Sequence, residues 1–111
     1  LGIVHGDIKL DNILVKLCQV EMEGGATQKV IREICLGDWG FSTTKTSTRE
    51  DKCAYRGSMV TVAPEVMEKD VEAGPASDIY ALGLSLFCLL EAVRLGRGDW
   101  LMRVVRQRKR C

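Results

Sequence analysis

The chain has 111 residues, of which 46% are hydrophobic, and its formal net charge is +1. This length fits one small domain rather than two, and the hydrophobic share excludes a wholly disordered chain. The near-neutral balance of charges gives no sign of a nucleic acid or an acidic membrane as partner. We therefore expect a globular domain that binds no nucleic acid.

The first half of the chain predicts a β-hairpin. Branched residues are frequent from Ile13 to Val20 and again over residues 29–36, and both stretches are typical of strands. Gly24-Gly25 lies between the two stretches and favours a turn. Asn12 and Asp38 flank the pair, so we expect them at the same end of the hairpin.

The second half predicts a loop followed by helices. Residues 42–52 are polar and rich in Ser and Thr, which is typical of a loop. A short helix is expected at residues 67–69, and the Gly-Pro pair at residues 74–75 ends that segment. Ser77 is then the expected N-cap of a long helix, with Asp78 as an acid in its first turn.

This long helix is expected to be buried. Its apolar residues recur at helical spacing and nearly complete the circle; they are Ile79, Leu82, Leu84, Leu86, Phe87, Leu89, Leu90 and Val93. A helix that is apolar on most sides has to be covered by other elements. The apolar stretch 79–90 is shorter than the ~20 residues that cross a bilayer. We therefore expect a core helix and no transmembrane segment.

The cysteines predict no metal framework. The chain has five cysteines without close pairs, and one histidine. Zinc sites use closely spaced Cys or His pairs, which are missing from this sequence. Reduced, mostly structural thiols are expected, together with an intracellular location in the cytoplasm or the nucleus.

Four side chains in two short segments suit phosphoryl transfer. In that reaction the protein orients the attacking hydroxyl and neutralises charge on the phosphate oxygens. The carboxylate of Asp7 can accept the hydroxyl proton, and the ammonium of Lys9 can contact the γ-phosphate. The amide oxygen of Asn12 can bind Mg²⁺, and the carboxylate of Asp38 can supply a second metal ligand.

Four segments resemble protein-kinase motifs and follow the order of that family. They are His5-Gly6-Asp7 to Asn12 (similar to H-R-D-x-K-x-x-N), Asp38-Trp39-Gly40 (similar to D-F-G), Ala63-Pro64-Glu65 (similar to A-P-E), and Ser77 to Gly83, which resembles the start of the long helix after A-P-E. Ser/Thr protein kinases carry a lysine at the motif position that Lys9 occupies. The resemblance implies an α+β, protein-kinase-like fold: mainly the helical C-lobe with a small β-hairpin, without the N-lobe.

The resemblance also implies a role for each matching residue. Asp7 would be the catalytic base, and Lys9 would contact the γ-phosphate of ATP. Asn12 and Asp38 would hold the Mg²⁺ ions, and Leu14 would lie under the adenine.

Other matching residues would position this machinery. Gly57 and Ser58 would belong to the substrate loop, where Ser58 takes the place of a Thr that bonds the catalytic Asp and Lys. His5 and Trp39 would stack in a hydrophobic spine, and Asp78 would hold the backbone of the loop at residues 5–12.

Three positions depart from the family pattern or lack a usual partner. Gly6 replaces an arginine that pairs with a phosphate on the activation loop. We therefore predict activity that does not require phosphorylation of that loop. Trp39 replaces a Phe and should leave Mg²⁺ binding by Asp38 unchanged. Glu65 is expected to lack the arginine that pairs with it in the family.

The match predicts a partial kinase domain over residues 1–93 and fades over the basic residues 94–111. This tail could form a basic amphipathic helix that contacts a partner or an acidic surface. ATP and Mg²⁺ are the expected cofactors and a protein the expected substrate. The segment alone is expected to be inactive, because it includes no Gly-rich loop for the phosphates. Two alternatives stay open: a pseudokinase that serves as a binding scaffold, and a small-molecule phosphotransferase of the aminoglycoside or choline kinase type.

Overall fold

The computed structural model describes residues 2–44, 57–68 and 72–97. In chain order they form β1 (Ile3–Val4), a 3₁₀ turn (Leu10–Asn12), β2 (Ile13–Glu21), β3 (Thr27–Leu36), β4 (Thr43–Thr44), α1 (Pro64–Met67) and α2 (Pro75–Arg94). The strands form two antiparallel pairs, β1 with β4 and β2 with β3. The basic residues 98–111 lie outside the described part of the chain.

Strands β2 and β3 form the predicted hairpin. The register runs from Ile13 opposite Leu36 to Glu21 opposite Thr27. The turn contains two adjacent glycines with φ values of 103° and 81°, a region that glycine enters without steric cost. A small hairpin was expected, and its strands of 9 and 10 residues extend the predicted stretches by only one or two residues. Cross-strand pairing continues through the polar residues until these glycines reverse the chain.

Strands β1 and β4 join two segments that are distant in sequence. Ile3 lies opposite Thr44, and Val4 lies opposite Thr43. The region predicted as a loop over residues 42–52 therefore begins with a short strand, for which the β-branched threonines are well suited. Residues 45–52 lie outside the described residues.

Both α-helices begin at prolines, earlier than the sequence suggested. The first begins at Pro64 rather than at residue 67, and the second begins at Pro75. Proline suits the first turn because its missing N–H needs no partner there. Ser77 is therefore not the N-cap: its hydroxyl lies inside the first turn, where it accepts from the Gly74 N–H at 3.1 Å and donates to the Gly74 carbonyl at 2.6 Å.

Helix α2 leaves most of its apolar surface uncovered by the described residues. Its buried residues are small: Ala81, Ser85 and Ala92. Its large apolar residues are mostly exposed, among them Ile79, Phe87, Leu90 and Val93. The expectation of a buried helix is wrong for this part of the molecule, because only the face with small residues packs on the chain. By length and composition α2 could cross a membrane, with 20 residues and a mean hydropathy of 1.6; core helices meet the same criterion.

The interior is small and contains several polar residues beside its apolar ones. A cluster of Val62, Ala63 and Val66, with Ala73 packed against it, forms the apolar core. The most deeply buried residues with polar side chains include His5, Asp7 and Ser85, each 2% exposed. Since buried polar groups are costly unless they are hydrogen-bonded, their partners identify the site described next.

Candidate active site

The loop at residues 5–12 folds back on itself. It ends in the 3₁₀ turn, where the Asn12 N–H donates to the Lys9 carbonyl at 3.0 Å. The turn returns the side chain of Asn12 to Asp7, five residues earlier. Its amide nitrogen donates to the Asp7 backbone carbonyl at 2.8 Å and to the Asp7 carboxylate at 3.0 Å. Both amide hydrogens are thereby used, and the amide oxygen stays available as an acceptor.

The buried carboxylate of Asp7 accepts hydrogen bonds from three residues. Its Oδ2 accepts from the Lys9 ammonium at 2.7 Å as well as from Asn12. Its Oδ1 accepts from the backbone N–H of Ser58 at 2.7 Å, across 51 residues of sequence. The Lys9 side chain is 29% exposed, while that of Asp7 is 1% exposed. The adjacent ammonium compensates a buried negative charge, which would otherwise be costly.

Asp38 provides an exposed carboxylate at the open end of the hairpin. It follows the end of β3, where the Gly37 N–H donates to the Asn12 carbonyl at 2.8 Å, so Asn12 and Asp38 lie at the same end of the hairpin as predicted. Asp38 is exposed and makes no hydrogen bond or ion pair with the residues that the structure describes. Its φ of 60° is uncommon for a residue other than glycine. Such backbone strain is frequent at functional sites.

Gly37 allows Leu14 to approach the chain that leads to Asp38. A Cβ atom at position 37 would lie 2.8 Å from Leu14 Cδ1. No real side chain tolerates that distance without a shift. The half-buried Leu14 therefore packs directly on the backbone between the two candidate metal-binding residues.

His5 connects the loop to the Asp38 segment. Its ring stacks on Trp39, with ring centroids 4.5 Å apart and a tilt of 55°, as the sequence suggested. The Asp7 N–H donates to His5 Nδ1 at 3.3 Å, so Nε2 carries the hydrogen and donates to the Gly37 carbonyl at 3.1 Å. Trp39 is half exposed and donates through Nε1 to the Leu36 carbonyl at 3.1 Å.

Asp78, in the first turn of α2, holds the backbone of this loop. Its carboxylate accepts from the His5 N–H at 2.7 Å and from the Gly6 N–H at 3.0 Å. Charge-assisted bonds of this kind are stronger than neutral ones. Asp78 therefore lies where the sequence motif places it, and it ties α2 to the loop that carries Asp7.

One feature of the site escaped the sequence analysis, and a second differs in detail from what the resemblance implied. Gly6 has a φ of 80°, and a Cβ atom there would lie 2.9 Å from the Phe41 carbonyl oxygen. Glycine at this position therefore permits the backbone conformation and the close approach of Phe41, in addition to replacing an arginine. Ser58 contacts Asp7, as the resemblance implied, but the group that donates is its backbone N–H. The glycine at position 6 was the sequence signal for the first feature, and the motif position of Ser58 was the signal for the second.

The remaining predicted residues lie at the edge of the site. Gly57 is half-buried beside Ser58, and Glu65 is exposed in α1 with no partner among the described residues. No cluster of three His, Cys, Asp or Glu occurs in the described ranges. Mg²⁺ needs no such cluster, because it is usually bound by one or two carboxylates with phosphate and water oxygens.

The protein kinase domain family matches this chain over residues 1–107. The chain belongs to that family. Among curated relatives, the serine/threonine-protein kinase STE20 of Eremothecium gossypii is 33% identical over 90 residues, which cover 81% of this chain and 8% of that protein. A probable serine/threonine-protein kinase of Dictyostelium discoideum is 34% identical over 96 residues, which cover 86% of this chain and 13% of that protein. Human ribosomal protein S6 kinase alpha-4 is 33% identical over 91 residues, which cover 81% of this chain and 10% of that protein. The chain thus spans no more than 13% of the length of these three relatives.

A solved structure supports the fold. The crystal structure of a kinase domain superposes on this chain with a TM-score of 0.52 at 24% identity, and the match covers 77% of this chain and 27% of the other. This likeness concerns the fold alone. The predicted kinase-like, α+β character is therefore confirmed, while the assignment to the C-lobe stays a prediction.

Proposed function

We infer that this chain carries the catalytic centre of an ATP-dependent protein kinase that phosphorylates Ser or Thr hydroxyls. The observation that carries the proposal is the Asp7 carboxylate, held on both oxygens by Lys9, Asn12 and the Ser58 N–H. A carboxylate fixed in this way can orient a substrate hydroxyl and accept its proton. Family membership and the similarity to serine/threonine kinases support the choice of reaction and acceptor.

Lys9 and the Ser58 segment have complementary parts in this proposal. The Lys9 ammonium is partly exposed and only 2.7 Å from Asp7. It can move from the carboxylate to a transferring phosphoryl group and neutralise charge there. Gly57 and Ser58 border Asp7 and belong to the proposed substrate loop. A bound protein substrate would thus meet the base and the cation together.

The described residues fit ATP and Mg²⁺. The carboxylate of Asp38 is unpaired among them, and the amide of Asn12 has its oxygen available, so the two can hold Mg²⁺. Leu14 provides an apolar contact for the adenine. When bound, Mg²⁺ neutralises charge on the phosphates, and this chain contributes the oxygens that position it.

The two alternatives from the sequence differ in support. A small-molecule phosphotransferase is disfavoured by the protein kinase match over residues 1–107. A pseudokinase is opposed by Asp7, Lys9, Asn12 and Asp38, all of which are present. An intracellular location remains part of the proposal, as does a division into a partial kinase domain over residues 1–93 and a basic tail over residues 94–111. The family match itself extends to residue 107.

The test is phosphate transfer from ATP to protein substrates by the full-length protein, with and without Asp7→Asn. Asp11→Asn is the matched control, because Asp11 is exposed in the same loop and is not among the hydrogen-bond partners of the Asp7 carboxylate. We expect Asp7→Asn to lower kcat about 10²–10⁴-fold and Asp11→Asn to leave it unchanged. Acid hydrolysis of the product should release phosphoserine or phosphothreonine. Full activity of Asp7→Asn would refute the assignment of the base.

A further inference from the structure

A small cavity lies where the 5–12 loop, the segment before α1 and the first turns of α2 meet. Its lining residues are Gly6, Ile8, Thr61, Val62, Ala63, Ser77, Asp78 and Ala81. The space open to the centre of a water-sized sphere is about 10 Å³. This volume corresponds to about one water molecule, so an organic ligand cannot fit.

Thr61 contributes a buried hydroxyl to the lining. The residue is 8% exposed, and its Oγ1 has no hydrogen-bond partner in the part of the chain that the structure describes. Most buried hydroxyls in proteins are hydrogen-bonded, so one without a partner requires an explanation. The hydroxyl and the methyl of threonine are similar in size, and rotation about χ1 exchanges them without a change in packing volume. The hydroxyl can therefore point into the cavity that Thr61 lines.

Asp78 supplies the second polar partner. Each of its carboxylate oxygens accepts one backbone N–H, from His5 or from Gly6. A carboxylate has about four acceptor positions, so it can accept a further hydrogen bond from within the cavity. A buried water needs two to four polar partners. Thr61 and Asp78 meet the lower limit, and apolar residues such as Ile8 and Ala81 form part of the surrounding wall.

We propose that this cavity binds a single water molecule, which joins the Thr61 hydroxyl to the Asp78 carboxylate. The water links the segment that follows Ser58 to the residue that holds the 5–12 loop. Asp7 is then supported from two directions: by the direct Ser58 N–H contact at 2.7 Å, and by this bridge. The proposal concerns the folded molecule and does not depend on the proposed reaction.

The decisive variant in the full-length protein is Thr61→Val, which keeps the shape of the side chain and removes the hydroxyl. If water bridges the hydroxyl, the variant loses a hydrogen bond, and the Tm should fall by about 2–4 °C. If the cavity is dry, the variant removes a buried hydroxyl without a partner, and the Tm should rise or stay unchanged. The sign of the shift therefore decides the question. Thr27→Val is the control, because Thr27 is exposed in β3 and its hydroxyl can be lost without a buried partner.

A crystal structure of the unaltered full-length protein gives an independent reading. We expect one spherical density peak within hydrogen-bonding distance of Thr61 Oγ1 and the Asp78 carboxylate. A cavity without density, or one filled by a side chain from elsewhere in the protein, would overturn the proposal.

Discussion

The contact between Gly6 and Phe41 gives the sharpest prediction about the stability of the site. Replacing Gly6 with alanine adds one methyl group at a φ of 80°, with its carbon 2.9 Å from the Phe41 carbonyl oxygen and 3.6 Å from the carbonyl carbon. The neighbouring atoms belong to the backbone, so no side-chain rotation can relieve the contact. Either the 5–12 loop or the segment that leads to β4 has to move.

The expected cost has two parts. An L-residue in the left-handed region costs about 1–2 kcal/mol, and overpacking against fixed atoms adds about 1–3 kcal/mol. Gly6→Ala should therefore destabilise the protein by about 2–5 kcal/mol. Gly25→Ala is a close control, because Gly25 has a φ of 81° and no atom within 4 Å of the added carbon. That control should cost only the first part, about 1–2 kcal/mol.

The assay is urea unfolding of the full-length protein and both variants, followed by phosphotransfer rates for the variants that fold. Activity should fall in Gly6→Ala, because Gly6 precedes Asp7 and donates its N–H to Asp78. Activity should persist in Gly25→Ala, whose change lies at the hairpin turn. Equal destabilisation by the two substitutions would refute the argument, since it would show that the Phe41 contact contributes nothing.

Two further predictions concern the same loop. Asp78→Asn replaces a charged acceptor of two backbone N–H groups with one neutral amide oxygen, so we expect the free energy of unfolding to fall by about 1.5–3 kcal/mol in thermal or urea unfolding. The substitution Asp11→Asn, at an exposed residue, should leave that free energy almost unchanged. Equal effects of the two substitutions would contradict the role of Asp78. Because Gly6 cannot pair with a phosphate, treatment of the active full-length protein with a phosphatase should leave its kinase rate unchanged, and loss of activity after that treatment would disprove the expectation.

Local contacts of the site were predictable from the sequence, and so were two long-range ones: the resemblance implied that Asp78 holds the 5–12 loop and that Ser58 bonds Asp7, and both contacts are present. The spacing between Asp7 and Asn12 predicted that the two residues lie close together, because a turn within six residues has few conformations. The hairpin followed from branched residues on either side of Gly24-Gly25. The resemblance did not specify that Ser58 bonds Asp7 through its backbone N–H, a group that every residue except proline carries, so the residue type gave no signal for this donor.

The first residues of the helices and the packing of α2 show a different limit of prediction from the sequence. The Gly-Pro pair at residues 74–75 was interpreted as the end of a segment, although proline also suits the first helical turn. Periodicity showed that α2 is apolar on most sides, but it does not specify which side packs on the described residues. The structure assigns that role to Ala81, Ser85 and Ala92, since small side chains allow close approach.

The hairpin has a consequence for how this gene can change over generations. The candidate metal-binding residues both sit at its open end, where Gly37 donates to the Asn12 carbonyl. Their separation depends on that end alone and not on how far the strands extend. Insertions or deletions of matched residue pairs near the turn should therefore be nearly neutral for the reaction, so the length of the hairpin can drift between species while the geometry at its base is preserved.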